Sequence, residues 1–338
     1  MHPIPLTPVR SWQDELRDSI TDPAELLKSL KLPETLLDGA NAGAALFSLR
    51  VPKPYLSRIE KGNPRDPLLL QILPLQQEKH QTSGFTTDPL EENTFRPLPG
   101  LIHKYKNRVL LILSGACAIN CRYCFRRHFP YQENQLGQEQ WQEILKYLQK
   151  HTDIDEVIFS GGDPLATPDI RLKKMIEDLE KINQIKRLRI HTRLPIVIPT
   201  RVTESLVDTL AQTRLKSIMV FHINHPNEID NQVKLAISKL KQENITLLNQ
   251  SVLLSGINNS VFILETLSKA LFDINILPYY LFLLDQVEGA AHFDTSKLEA
   301  RNLFTQLQAK LPGYLVPKLA IEIPHRLSKT LLSPLYDM

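Results

Sequence analysis

A chain of 338 residues with 42% hydrophobic and 23% charged positions has the composition of a globular protein with a real core, long enough for one large α/β domain or two smaller ones. Its net charge of +3 is too mild to argue for nucleic acid, no apolar run reaches the ~18 residues of a membrane span, and the opening M-H-P-I-P-L-T-P-V-R lacks the charged-then-apolar layout of a leader. The three cysteines all lie between Cys117 and Cys124, which argues against a disulfide scaffold and for a reducing, cytoplasmic setting.

Residues 1–95 read as a helical and irregular wrapping segment. Asp22-Pro23-Ala24-Glu25 has the layout of a helix start: a capping acid, proline at the first helical position, and a second acid three residues after the cap. Leu26, Leu27 and Leu30 follow as its apolar face. Pro52, Pro54, Pro64, Pro67 and Pro74 punctuate the stretch, as suits a wrapping segment rather than a sheet. Phe85 to Pro99 reads as an extended connection.

From Arg108 the pattern changes. Arg108–Leu113 is a short continuous apolar run, as expected of a strand buried on both faces. A helix follows at 138–150, with Trp141, Ile144, Leu145 and Leu148 on one face. Further strands are predicted at Glu156–Phe159, Arg187–His191, Ser217–His222, Thr246–Leu254 and Ile276–Leu284, with helices near 169–182, 203–212, 228–241, 260–272 and 295–310. Six strand-then-helix units imply an α/β fold: a parallel sheet with helices outside. The core is expected over 96–311, with a C-terminal segment over 312–338. Polar residues gather where the strands end: the cysteine loop, Ser160-Gly161-Gly162-Asp163, His191-Thr192-Arg193, His222-Ile223-Asn224-His225 and Asp285. In α/β barrels and open α/β sheets, function sits at those ends. Asn249-Gln250 lies inside an apolar strand, as fits a side chain pointing into a barrel interior.

Cys117, Cys121 and Cys124 form C-x3-C-x2-C. Thiolates this close hold soft metal, and iron–sulfur clusters are normally held by cysteine. Three ligands on a four-iron cube leave one iron open to bind something else. The alternative is a closed zinc site completed by His128. Ser160-Gly161-Gly162-Asp163 lets backbone approach a ligand and frees N–H groups to bind its polar atoms, or is only a turn. Lys329 is a tail lysine of the usual solvated kind or an amine for covalent cofactor chemistry. The basic run His103-Lys104-Tyr105-Lys106-Asn107-Arg108 is a solvated edge or a phosphate site.

C-x3-C-x2-C with Tyr123 before the third cysteine resembles the radical S-adenosylmethionine (SAM) superfamily. The longer stretch C-R-Y-C-F-R-R-H-F-P, Cys121 to Pro130, resembles its lysine 2,3-aminomutase branch, as do H-I-N-H-P-N-E and N-Q-S-V-L-L. The resemblance covers about residues 45–335 and implies a partial (β/α)6 TIM-like barrel. It implies that Cys117, Cys121 and Cys124 hold a [4Fe–4S] cluster whose open iron chelates SAM. Gly161, Gly162 and Asp163 would hold the SAM amino group, with His222 and Gln250 as further SAM contacts. Lys329 would anchor pyridoxal 5′-phosphate (PLP), placing that anchor in the 312–338 segment, and Lys104 and Arg108 would take its phosphate. Arg126 would grip the substrate α-carboxylate, with Arg127 its structural partner or the roles swapped. Asp285 and Glu322 would take the ε-ammonium of L-lysine.

The chain departs from the family at three places. Asp163 stands where the superfamily has Glu in a G-G-E element, Glu322 replaces a second aspartate, and the glycines before Lys329 are lost. The fermentative enzymes continue well past the PLP lysine, whereas this chain stops nine residues after Lys329. It resembles the shorter branch that makes (R)-β-lysine for elongation factor P. That implies an isomerase fed by an electron donor such as flavodoxin or ferredoxin, linked to elongation factor P and its lysyl ligase, and acting on neither nucleic acid nor membrane. Two rival readings remain: an aminomutase for arginine or glutamate, and a non-catalytic metal-stabilised binding protein. Acids at 285 and 322 weigh against glutamate and leave arginine open.

Overall fold

A computed structural model describes residues 10–242 and 244–335. The first nine residues of the opening stretch read for a leader lie outside the described residues. Nine strands form one sheet in chain order: β1 (Leu101–Tyr105), β2 (Arg108–Ser114), β3 (Glu156–Gly161), β4 (Arg187–Thr192), β5 (Lys216–His222), β6 (Ile245–Val252), β7 (Leu277–Phe282), β8 (Lys318–Ile321) and β9 (Thr330–Leu331). β2 through β8 run parallel. β1 and β9 pair antiparallel at the two edges, so the sheet is an open barrel.

The six predicted strands and their helices appear within a few residues of expectation. The helix Gln138–Lys150 buries Trp141, Ile144 and Leu148, and the Trp141 Nε1 donates to Asp178 at 3.0 Å. The helix Pro23–Ser29 is capped by Asp22, which accepts from the Ala24 and Glu25 N–H groups. That cap satisfies donors that the first helical turn leaves open.

Three strands escaped the sequence reading. β1 carries a histidine and a lysine in five residues, and β8 and β9 are only four and two residues long. The basic run before Arg108 is therefore the hairpin joining β1 to β2. The 312–338 segment supplies a seventh parallel strand, beyond the six expected, and returns as β9 to the same sheet.

Strand alternation sorts the site from the core. On β4, Leu188, Ile190 and Thr192 are buried on the helix side, while Arg187, Arg189 and His191 are half-buried on the other face. The register pairs His191 with Val220, His222 with Gln250, and Gln250 with Tyr280, so these half-buried polar groups line one concave interior. The lead-in segment shares the barrel's hydrophobic core: Trp12, Leu26, Leu30, Leu68 and Leu69 belong to the same buried cluster as Leu111, Phe159 and Ile190.

Candidate active site

The cysteine loop leaves β2 and is locked from behind by buried charge. Arg122 and Arg127 both bond Glu78, at 2.5 and 2.7 Å, and all three side chains are almost completely buried. Arg122 also donates to the Phe47 and Gly43 carbonyls. Arg127 is thus taken up by this buried pair with Glu78. Arg126 faces the other way, into the site, where it meets Glu92 and Ser160.

Burial pushes the Cys117 thiol well up, with the charges of Cys124 and Asp163 adding to it. Burial and Cys121 push Cys124 up to about 11. Thiols so placed ionise only against a strong positive charge, which a metal centre supplies. The Arg193 guanidinium stands 2.7 Å from the Cys121 sulfur. His128 turns away: it is exposed, with Nε2 3.4 Å from the Glu288 carbonyl. Among the described residues no three His, Cys, Asp or Glu side chains gather around a single metal ion. Thiolates on one zinc would sit about 2.3 Å from it. Three thiols with no fourth ligand and a cation at one sulfur fit a cluster with one open iron.

The Gly161-Gly162 turn differs from expectation. The Gly162 and Asp163 N–H groups are not free. They donate to the Ser114 and Ala116 carbonyls of the cysteine loop, at 2.7 and 2.9 Å. A Cβ on Gly161 (φ +122°) would lie 2.6 Å from Ser114 O, and one on Gly162 would lie 2.6 Å from Ala116 O. The glycines therefore let two strand ends close on each other. What the turn can offer an ammonium group is carbonyl oxygen, the acceptor that an amino group needs. The Asp163 carboxylate is also spent internally. It accepts from Leu165 N, Thr192 Oγ1, Arg193 N and Leu194 N at 2.7 to 3.0 Å. It fixes the chain that carries Arg193 and does not reach out to a ligand.

His222 stacks on Tyr123 (centroids 5.6 Å apart) with Nε2 2.9 Å from the Tyr123 hydroxyl. Burial, then the Arg193 charge, lowers it to about 3, so it is neutral. The Gln250 amide has no side-chain hydrogen bond among the described residues and faces the interior from β6. Both suit a polar ligand lying across the strand ends.

At the far side, Lys329 Nζ donates to Glu322 Oε2 at 2.7 Å. Glu322 Oε1 accepts from Lys104 Nζ at 2.8 Å and from the Tyr105 hydroxyl at 2.5 Å. Burial alone would raise Glu322. The Lys329 charge and the three hydrogen bonds outweigh burial and hold Glu322 at about 2. Lys104 is thus already paired, while Arg108 has no acid partner among the described residues. It lies over the Tyr105 ring at 4.2 Å and donates to Asn107 Oδ1 at 3.0 Å. Asp285 goes the other way. Burial, then the negative charge of Glu322, pushes it up to about 7, with Lys329 and Lys104 opposing. The two expected tail acids thus stand in opposite states, one ionised and one poised near neutrality. A lysine amine, two further cations and a mixed acid pair at one mouth fit PLP and a cationic substrate.

Four contributors were not picked out as site residues: Glu92, Tyr105, Arg193 and His191. Arg193 and His191 sit at a predicted strand end, which was a usable signal. His191 Nε2 is buried without a partner in the interior. Glu92 gave no signal.

Residues 111–262 match the Radical SAM superfamily. A Haemophilus influenzae protein named L-lysine 2,3-aminomutase is 52% identical over 98% of this chain and 99% of its own length. An Escherichia coli protein of the same name is 53% identical over 96% of this chain and 95% of its own. The Clostridium subterminale L-lysine 2,3-aminomutase is 32% identical over 96% of this chain and 78% of its own.

Proposed function

The chain belongs to the lysine 2,3-aminomutase family of radical SAM proteins, and on that premise we propose that it converts L-α-lysine to (R)-β-lysine for the modification of elongation factor P. The observation that carries the reading is the Lys329–Glu322–Lys104 cluster, whose charges act on the buried Asp285. The cofactors are a [4Fe–4S] cluster, SAM and PLP. When bound, they supply reversible hydrogen-atom abstraction and a conjugated system across which the amino nitrogen moves from the α- to the β-carbon.

Cys117, Cys121 and Cys124 hold the cluster. The carbonyls of Gly161 and Gly162 accept from the SAM amino group, and His222 and Gln250 line the rest of its site. Lys329 is the covalent anchor of PLP, and Lys104 and Arg108 give its phosphate positive partners. Arg126 holds the substrate α-carboxylate. Asp285 and Glu322 hold its ε-ammonium, which takes the place that the Lys329 and Lys104 charges fill at Glu322. Lys329 must lose a proton to act as a nucleophile. Glu322, held at about 2, is too weak a base to take it at neutral pH. The barrel walls keep water from reactive species.

The chain matches 99% and 95% of the length of the Haemophilus and Escherichia proteins and 78% of the clostridial one, which supports placing it with the shorter proteins of the family. The electron donor is proposed to be a flavodoxin or ferredoxin, and the setting the cytoplasm. Among the described residues no helix is long and apolar enough to cross a membrane. The test presents L-lysine, L-arginine and L-glutamate together to the anaerobically reconstituted enzyme, with SAM and reductant. Conversion of lysine alone to the (R) product supports the proposal. Conversion of arginine or glutamate, or an (S) product, overturns it.

A further inference from the structure

Glu92 belongs to none of the motifs that announce the site. It sits in the short turn Glu92–Phe95, between the lead-in and the sheet. Its buried carboxylate takes two parallel hydrogen bonds from Arg126: Nε to Oε2 at 2.7 Å and Nη2 to Oε1 at 2.6 Å. That is the side-on edge of the guanidinium. Arg126 Nη1 donates to Ser160 Oγ at 3.0 Å. A guanidinium carries five N–H donors in one plane. One on each of Nη1 and Nη2 is left uncommitted, so the fork still has donors for a second carboxylate.

The segment around Glu92 is anchored on every side of the site. Asp88 Oδ1 accepts from the Glu92 N–H at 3.1 Å. Thr86 pairs with the loop after β7, donating to Gln286 O and accepting from Glu288 N, both at 2.9 Å. That is the loop of Asp285. Glu91, in a left-handed conformation at φ +51°, meets His325 at 2.6 Å on the loop leading to Lys329. One segment thus ties together the arginine, the loop of the poised acid and the loop of the anchoring lysine.

We propose that Glu92 is the positioning residue that fixes the Arg126 fork so that its free donors meet the carboxylate of the amino-acid substrate at a set distance from Lys329. A buried arginine without a carboxylate on its side-on edge would turn toward another acid. Glu92 removes that freedom before substrate arrives and spares the substrate the ordering cost. The inference rests on the reading of Arg126 as the carboxylate-binding residue.

The test compares binding of L-lysine and L-lysinamide, which lacks the carboxylate charge, to reconstituted holoenzyme. Iron content and PLP absorbance confirm each variant as loaded. The natural protein should prefer lysine, and R126Q should abolish the preference. E92Q should cut the preference roughly tenfold while leaving lysinamide binding in place. Should E92Q fail to hold its cofactors, E92D keeps the charge with a shorter reach, and its preference should fall between those of the natural protein and R126Q. An unchanged preference in E92Q, or equal loss of both ligands, with R126Q behaving as expected, overturns the role of Glu92 alone. An unchanged preference in R126Q overturns the reading of Arg126 and the inference with it.

Discussion

Lys329 and Glu322 form a 2.7 Å ion pair in which the lysine proposed as the PLP anchor is held by one of the two acids proposed for the substrate tail. Because Glu322 is held at about 2 against an ordinary value of 4.5, its contribution to stability is present above pH 4.5 and lost as pH falls toward 2. Lys329→Ala should abolish borohydride-stabilised labelling by PLP and leave the iron content of the reconstituted protein unchanged. Undiminished labelling would move the anchor to another lysine. Glu322→Gln should weaken lysine binding roughly tenfold by calorimetry.

Asp285, as the proposed partner of the substrate ammonium, should make substrate affinity depend on pH. Its carboxyl is pushed up to about 7 by burial first and the Glu322 charge second, with Glu92 adding to the rise and Lys329 and Lys104 opposing it. Only the ionised form attracts an ammonium group, so bound lysine drives a proton off below pH 7. Affinity should rise with pH up to about 7 and level off above it. Calorimetry at pH 6.5 in buffers of different ionisation enthalpy should show proton release. Asp285→Asn should remove both effects, and a flat profile in the natural protein would refute the assignment.

Arg193 places positive charge and a donor on the Cys121 sulfur. Such contacts stabilise the more negative, reduced cluster. Arg193→Leu should therefore shift the cluster midpoint potential to more negative values, with Arg193→Lys closer to the natural protein. Potentiometric titration followed by electron paramagnetic resonance gives the answer. A shift to more positive potential would contradict the contact.

Glu78 balances two buried arginines, Arg122 and Arg127. Glu78→Ala leaves both unpaired, which should cost about 3–5 kcal/mol in denaturant unfolding. A loss under about 1 kcal/mol would show that water reaches the pair.

The parts of the fold that were legible in the sequence are those set by period. The runs from Arg108 to Phe282 alternate between apolar strands and helices with one apolar face, and each landed within a few residues. β8 and β9 were not legible because four and two residues carry no period; β8 pairs with the edge that β7 presents, and β9 with the edge that β8 then presents. At the site, Cys117, Cys121 and Cys124 stand out by residue type and spacing, whereas Lys329 is reached only through the family resemblance. Glu92 could not be picked out, because a lone acid in a polar stretch has no pattern. Only the arrival of Arg126, 34 positions later, gives it a task. The Gly161-Gly162 turn was found for the wrong reason: its N–H groups close on Ser114 and Ala116 and are not offered to a ligand.

Migration of nitrogen within one substrate molecule is the central claim. The most direct measurement gives the anaerobically reconstituted enzyme SAM, a reductant and L-lysine carrying heavy nitrogen at the α-position, mixed with lysine of ordinary nitrogen deuterated at the γ-, δ- and ε-carbons. Mass spectrometry then reads the β-lysine formed. The account predicts β-lysine with the heavy nitrogen at the β-carbon and no exchange of nitrogen between the two lysine pools. Cleavage of SAM with lysine returned unchanged, or β-lysine with nitrogen scrambled between the pools, would contradict it.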